Sequence, residues 1–384
     1  MRRSFSKWQL AQWLYNPVRR SAFGVRCSAF GARCSMLGFL PPPRSNPLVT
    51  CRLSSIYCSV IIVNAQEETW PLDKPFRISR GTRTEARVVV ATVTDGEHTG
   101  RGEGVPIRRY NQTPASVLAE IESIKSAPNL NREQLQNLLP PGAARNAVDC
   151  ALWDLKAKTS GKRAWELANI SIASEVETTF TISLDTPEAM AAAARAVANL
   201  PLLKLKLGGD QSDLARVESV RAAAPKARLL VDANESWTPD HYRKFAPSLA
   251  ELGVELIEQP FPADADDILE RLDHPIPVCA DESCHSAADL TGLKNRYEVI
   301  NVKLDKTGGL TEALLLADCA RQAGFKLLIG CMVCTSLGIA PVRLLASTAD
   351  WVDLDGPLLL GRDRDHSIRY DNGKIVLPAR ELWG

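Results

Sequence analysis

The chain has 384 residues, of which 45% are apolar and 24% charged, the composition of a globular protein of one to three domains. No run reaches the roughly 18 uncharged apolar residues that a spanning helix needs, which excludes an integral helical membrane protein. The formal charge of +1 averages two unlike parts: residues 1–66 hold nine basic residues and no acid, and the rest holds 37 basic against 45 acidic residues, a charge of −8 that repels a phosphate backbone and sets nucleic-acid binding aside.

The first sixty residues contain a tandem echo, SAFGVRC then SAFGARC (21–34), and a Pro-rich FLPPPRSNP, with neither helical nor strand period. Being Arg- and Ser-rich and acid-poor, this leader suits a transit peptide. A twin-arginine export signal would use RRSF, but no clean apolar segment follows it. A start near Val60 is the third reading, since residues 61–76 already read as the first strand and turn of a domain. The leader, 1–60, is therefore expected to be disordered or foreign to the native protein.

From about 60 to 100, SVIIVNAQ and ARVVVATV read as strands joined by a polar loop, PFRISRGTRTE. Helical periodicity follows in PASVLAEIESI and, after a break at Pro141-Gly142, in ARNAVDCALWDLKAK. This is an α+β capping domain over 61–175, completed by the C-terminal segment 357–384. Beyond 175, eight short apolar strands alternate with helices, beginning near 178, 202, 228, 254, 277, 298, 326 and 351. Lys206, Asp232, Glu258, Asp281 and Lys303 mark five of them at steps of 26, 26, 23 and 22 residues. Such spacing predicts an α/β fold, a (β/α)7β TIM-like barrel over 176–356, with an open doubly wound sheet as the alternative. No GxGxxG follows a strand, which weakens a dinucleotide site. SIRYDNGKIVL reads as a closing hairpin about an Asn-Gly turn.

Parity tests where the strand charges point. Lys204 and Lys206 oppose Leu203, Leu205 and Leu207; Asp232 opposes Val231; Glu258 opposes Ile257; Asp281 shares a face with Cys279; Asn301, Lys303 and Asp305 oppose Ile300, Val302 and Leu304. Polar faces are expected inside the barrel, with the charges at its C-terminal end. A lone strand-end Asp usually caps a turn and a lone Lys is usually solvated, but five on five consecutive strands argue for a site. Three converging carboxylates call for a hard divalent cation, and oxygen-only ligands favour Mg²⁺. The cation and the Lys204–Lys206 pair are expected to push a lysine toward its neutral form. A lysine on either side of one carbon then allows a proton to leave on one face and return on the other, through an enediolate, inverting a stereocentre. Lys306 is a rival for Lys303, although it has the opposite parity. Cys331 and Cys334 alone have CxxC spacing; they read as reduced cysteines at a strand end, with a redox pair as the alternative.

KLKLGGD, VDANESW, IEQPF, CADES and INVKLDKTGGL resemble the enolase superfamily, specifically its muconate-lactonizing subgroup, from about residue 62 to the end. Within it, LPPGAARNAVDCALWDL, CADESCH and ADWVDLDGP resemble the L-Ala-D/L-Glu (dipeptide) epimerases. The resemblance implies one Mg²⁺ per subunit on Asp232, Glu258 and Asp281, acid/base lysines Lys206 and Lys303, and Lys204 as the modulating lysine. It further implies that Asp353 and Asp355 receive the dipeptide ammonium. A substrate carboxylate would meet a capping-loop cation, Arg83 in preference to Arg80, near Tyr110, with Arg108 and Arg109 also at hand. The implied role is epimerisation of L-Ala-L-Glu type dipeptides in cytoplasmic murein peptide recycling, with a small-molecule substrate, no nucleic-acid or membrane partner, and self-association possible for a barrel of this size. N-acylamino acid racemases, o-succinylbenzoate synthases and muconate-type cycloisomerases share the two-lysine site but do not need the Asp353–Asp355 pair. A sugar-acid dehydratase would need a histidine on strand seven, where the sequence reads KLLIGCMVC. A barrel kept only as a scaffold would have lost one of these lysines or carboxylates.

Overall fold

The computed structural model describes residues 61–128 and 130–384; the readings of the leader lie outside them. Chain order begins with a three-stranded antiparallel sheet, β1 (Ile62–Ile78), β2 (Gly81–Thr94) and β3 (Thr99–Gly104). The segment expected to be a loop is instead the far half of a long hairpin. After a bulge between Pro71 and Phe76, pairing resumes at Phe76 with Arg83 and runs to Ile78 with Gly81. Arg77, Arg80 and Arg83 had disguised it, because only Phe76 and Ile78 are half-buried here, and two residues are too few to show an apolar alternation.

Helices α1 (Pro114–Ser123), α2 (Arg132–Leu138) and α3 (Ala143–Ser160) cover the sheet. Thr113 and Ser116 cap α1 reciprocally, with Pro114 in the first turn. The third strand, TGRGEG, has no β-forming signature, and its place follows from packing. An added Cβ on Gly100, Gly102 or Gly104 would lie 2.1–2.2 Å from the backbone oxygens of Ala151, Ala147 and Ala143. Three glycines at the strand period of two thus face three alanines at the helix period of four, and backbone rests on backbone.

The barrel strands are β5 (Phe180–Ile182), β6 (Leu202–Lys206), β7 (Arg228–Asp232), β8 (Val254–Glu258), β9 (Val278–Ala280), β10 (Val299–Val302), β11 (Lys326–Gly330) and β12 (Trp351–Asp353), preceded by β4 (Glu175–Glu177). All eight predicted strands are present, as one parallel sheet in sequential order. Its first and last strands lack a ladder and are joined instead by Thr179 N–H donating to Val352 O (2.9 Å) and by Leu354 N–H donating to Thr178 Oγ1 (2.9 Å), so the barrel is nearly closed. Leu203, Leu205, Val231 and Ile257 point outward into the large core beneath the helices. Leu202, Leu230, Leu256, Cys279, Val299 and Leu328 point inward and form a separate apolar plug across the bottom. Each buried aliphatic side chain contributes about 2 kcal/mol. β13 (Tyr370–Asp371) and β14 (Lys374–Val376) flank the expected Asn372-Gly373 turn, and β14 pairs with β4. The C-terminal segment also reaches the cap, where Arg364 meets Glu68 (2.6 Å) and Glu103 (2.8 Å). Among the described residues no helix is long and apolar enough to cross a membrane.

Candidate active site

Counting by twos up each strand from the apolar plug gives the site. Leu202 leads to Lys204 and Lys206, Leu230 to Asp232, Leu256 to Glu258, Cys279 to Asp281, and Val299 to Asn301 and Lys303. Register aligns the tops: Lys206 pairs with Asp232, Asp232 with Glu258, and Glu258 with Cys279, two residues before Asp281. The expected parity therefore holds up to Lys303 and fails at Asp305. The strand stops at Val302, and a helical turn sends Asp305 into the cap, where it accepts from Val105 N–H and Asn146 Nδ2, both at 2.8 Å.

Lys206 Nζ lies 2.6 Å from Asp232 Oδ2, and Lys303 Nζ lies 2.6 Å from Asp281 Oδ2 and 3.8 Å from Glu258 Oε1. Lys204, fully buried, contacts Glu258 Oε2 (2.5 Å), Asp353 Oδ2 (2.6 Å) and Asp232 Oδ2 (3.4 Å). Burial opposes the charge of Lys204, but Asp353, Glu258 and Asp232 outweigh it and raise its pKa well above the ordinary lysine value. Lys303 is raised likewise, its burial outweighed by Asp281 and Glu258. These directions hold for the lysines facing the carboxylates alone, whereas the expected push toward neutrality rested on a cation held by the same carboxylates. Among the carboxylates, burial of Asp232 is outweighed by Lys206 and Lys204, which hold its pKa at about 2. Asp281 is held well below the usual range, Lys303 and Lys306 outweighing burial, whereas burial and Asp232 push Glu258 up.

Lys306, the rival base, is 2% exposed and turned away. Its ammonium donates to the backbone oxygens of Asp281 and Asn301 and lies 2.7 Å from Asp281 Oδ1. Gly330 leaves room for Lys303: an added Cβ there would meet Lys303 Cε at 3.0 Å and Asn301 Oδ1 at 2.5 Å. Asn301 in turn donates to Glu258 Oε1 at 2.8 Å. Its shared face with Lys303 was visible in the sequence, but its role was not.

As the side chains stand, no three carboxylates among the described residues converge on a point, because the lysine ammoniums lie between them. The donor set nonetheless fits a hard cation. Three carboxylates end adjacent strands, and Glu258 Oε2 and Asp281 Oδ1 are buried without a hydrogen bond of proper geometry, although ammoniums approach both.

Above this lies a cavity of about 830 Å³, walled below by Lys206, Lys303 and Asp281 and at one side by Asp353 and Asp355. Lys204, Asp232 and Glu258 lie beneath that lining. Asp353 accepts from Thr179 Oγ1 at 2.5 Å and from Lys204, while Asp355 accepts from Thr181 N–H at 2.6 Å. Burial, aided by Asp353, raises the Asp355 carboxyl to about 6. Neither threonine was anticipated, since both strand-one residues read as ordinary β-formers.

The hairpin tip of the cap closes the mouth. Arg80 donates to Asn234 O (2.9 Å) and reaches Glu235 (3.1 Å) and Glu282 (2.7 Å), and Arg109 grips Glu235 through two bonds of 2.9 Å. Arg80 is thus a latch between cap and barrel, paired with two barrel carboxylates. Asn234 and Glu235 take positive φ, 46° and 67°, to meet it. Arg83 and Arg108 also line the mouth, and neither forms an ion pair with a described residue. Loss of water inside the mouth, then Arg108 and Arg80, lower the Arg83 pKa although its side chain stays exposed, and no anion offsets them. Tyr110 lines the same wall, its ring edge-on to His285 at 4.6 Å.

Two family models match the chain: the mandelate racemase / muconate lactonizing enzyme N-terminal domain over residues 60–168 and the enolase C-terminal domain-like family over 188–381. The L-Ala-D/L-Glu epimerase of Escherichia coli (strain K12) is 46% identical over 319 residues, 82% of this chain and 99% of that protein. The N-acetyl-D-glutamate racemase of a Pseudoalteromonas species is 45% identical over 303 residues, 77% and 95% of the two chains. Among solved structures, an Agrobacterium tumefaciens enolase family member with homology to dipeptide epimerases, bound to sodium and L-Ala-L-Glu, superposes with a TM-score of 0.83 at 49% identity, covering 84% of this chain and all of that one.

Proposed function

We propose a reaction for this chain from one premise: it belongs to the enolase superfamily, in the mandelate racemase / muconate lactonizing enzyme family, and is an isomerase. The reaction is epimerisation of L-Ala-L-Glu and L-Ala-D-Glu at the α-carbon of the second residue, serving murein peptide recycling in the cytoplasm. The observation that carries it is the placing of Lys206 and Lys303 at the tops of the second and sixth of eight barrel strands, four apart around the ring, both facing one cavity with Asp281 between them.

In this reading Lys206 Nζ and Lys303 Nζ hold and move the proton from opposite sides, one neutral and one protonated at the start of each turnover. Lys204 lies beneath as a fixed ammonium shared by Glu258, Asp232 and Asp353. Asp232, Glu258 and Asp281 would hold Mg²⁺, whose chemistry when bound is to offset the charge that collects on the substrate carboxylate as the α-proton leaves. Asp353 and Asp355 receive the ammonium of the first residue, and Arg83 the side-chain carboxylate of the second, with Tyr110 against the same wall. The Arg80 and Arg109 latch on Glu235 ties the capping hairpin to the barrel at the mouth.

A second reading, racemisation of an N-acylated glutamate, keeps Arg83 and both lysines but needs no ammonium site. It is favoured by Asp353 and Asp355 already having the partners Lys204, Thr179 and Thr181. Incubating the protein in D₂O with L-Ala-L-Glu or N-acetyl-L-glutamate, with and without Mg²⁺, separates the two. Deuterium at the glutamate α-position of the dipeptide, with the D-epimer formed only with metal, supports the first. Exchange on N-acetylglutamate alone supports the second, and exchange on neither removes both.

A further inference from the structure

The CxxC segment at the end of β11 has no part in the chemistry above, yet it forms part of the cavity wall. Cys331 lines the cavity, whereas Cys334 is 3% exposed, and the neighbouring Cys331, with burial, pushes the Cys334 thiol well above its ordinary pKa. Both are free thiols. The pair is tightly walled. An added Cβ on Gly356 would lie 3.4 Å from Cys331 Sγ, 3.1 Å from Cys334 N and 2.8 Å from Met332 O, and one on Gly338 would lie 3.1 Å from Cys334 Sγ. Gly356 directly follows Asp355, so any movement of the 331–334 turn presses on the wall that carries the Asp353–Asp355 pair.

We propose that Cys331 and Cys334 form a reversible oxidation site, closed to a disulfide by low-molecular-weight disulfides, that narrows the cavity beside Asp355 and lowers turnover. The Cys331 thiolate attacks one sulfur of the small disulfide, forming a mixed disulfide and releasing one small thiol. Cys334, losing its proton to water, then attacks Cys331 Sγ and releases the second. Two protein thiols are oxidised and one small disulfide is reduced to two thiols. The two cysteines flank one short turn and both abut Gly356, so closing to the about 2.05 Å S–S bond is a local movement of that turn. The shift falls on Met332 and Val333, which line the cavity. Of the other described cysteines, Cys150, Cys279 and Cys284 are buried, and Cys319 lies away from the cavity.

The test treats the full chain with oxidised glutathione and maps disulfides by peptide mass spectrometry, which separates this pair from the leader cysteines. A Cys331–Cys334 bridge, at least a tenfold fall in α-proton exchange and recovery with dithiothreitol are expected. Cys334→Ser lacks the second thiol and should instead accumulate glutathione on Cys331. Cys331→Ala should carry neither product and keep its own untreated rate. Absence of the bridge, or a bridge that leaves exchange unchanged, overturns the proposal. Amide hydrogen exchange over residues 331–336 reads the movement of the wall even if no dipeptide is turned over, so failure of the epimerase reading is told apart from failure of this one. An unmoved segment under a formed bridge also overturns it.

Discussion

Lys206 and Asp232 stand side by side in register on neighbouring strands, Nζ 2.6 Å from Oδ2, so one candidate proton carrier is locked to one candidate metal ligand. Lys303 and Asp281 repeat the pairing at 2.6 Å from the other side. Each lysine is therefore held by a carboxylate before substrate arrives. Replacing Lys206 or Lys303 by Ala should lower epimerisation by at least 10³-fold, the scale of a lost general acid/base. One of the two single variants should still exchange the α-proton of one epimer with D₂O, because the other base remains. NMR of both epimers with both variants checks this, and full epimerisation by either variant would remove the two-base scheme.

Asp355 is the cleaner of the two candidate ammonium ligands, since Asp353 also braces Lys204. Asp355→Asn keeps an acceptor for Thr181 N–H and removes only the charge. KM for L-Ala-L-Glu should rise about tenfold, equivalent to about 1.4 kcal/mol, while N-acetyl-L-glutamate turnover, if present, should change little. Equal losses on both substrates would mean that Asp355 is structural.

Arg83 has no carboxylate partner among the described residues, whereas Arg80 and Arg109 do. Arg83→Met should cost about 10–100-fold in kcat/KM for L-Ala-L-Glu, the value of a charge-assisted hydrogen bond, and much less for L-Ala-L-Ala. A steady-state comparison of the two dipeptides decides it. Arg80→Met should instead weaken both alike, because it loosens the latch to Glu235 and Glu282.

Legibility followed burial. The barrel strands and the inward residues from Lys204 to Lys303 were readable because one face of each strand meets helices and the other meets the interior, so a period of two is enforced. The signal vanished where that constraint stops. The 76–85 hairpin half-buries only Phe76, Ile78 and Ser79, and β3 is held by glycines rather than by side chains. Asp305 lies in the helical turn Leu304–Thr307, where a period of two no longer applies. The carboxylate partners of Lys204 and Lys303 were hard to read, because they lie on several strands at once.

The glycine–alanine seam between β3 and α3 positions the site at one remove. From α3, Arg145 donates to Thr307 O at 2.6 Å and Asn146 to Asp305 at 2.8 Å, which clamps the turn that follows Lys303. Gly102→Ala would put a methyl 2.2 Å from Ala147 O and 2.6 Å from Ala151 N, contacts that only backbone movement relieves. It should destabilise the protein by about 3 kcal/mol or more. Gly292→Ala, where nothing lies within 4 Å, should be near neutral. Thermal unfolding of both variants is the comparison.

Asp149 makes a prediction with a definite sign. It is fully buried, accepts from Thr311 Oγ1 (2.6 Å) and N–H (2.9 Å), and burial raises its carboxyl to about 6, although Thr311, Arg132 and Arg145 pull the other way. A folded pKa above the unfolded value means that the folded state binds the proton more tightly. Its contribution to stability, about 3 kcal/mol, is whole below pH about 4 and is lost as pH rises through about 6. Asn at this position can still accept from Thr311 N–H but does not titrate. The stability of Asp149→Asn relative to the parent should therefore improve on going from pH 5 to pH 7.5, by roughly 1 kcal/mol, since much of the loss lies in that interval. Urea unfolding of both proteins at the two pH values measures the difference, in which the titration of every other group largely cancels. A constant difference would place the Asp149 carboxyl near its ordinary value, with the buried charge already compensated by Arg132 and Arg145.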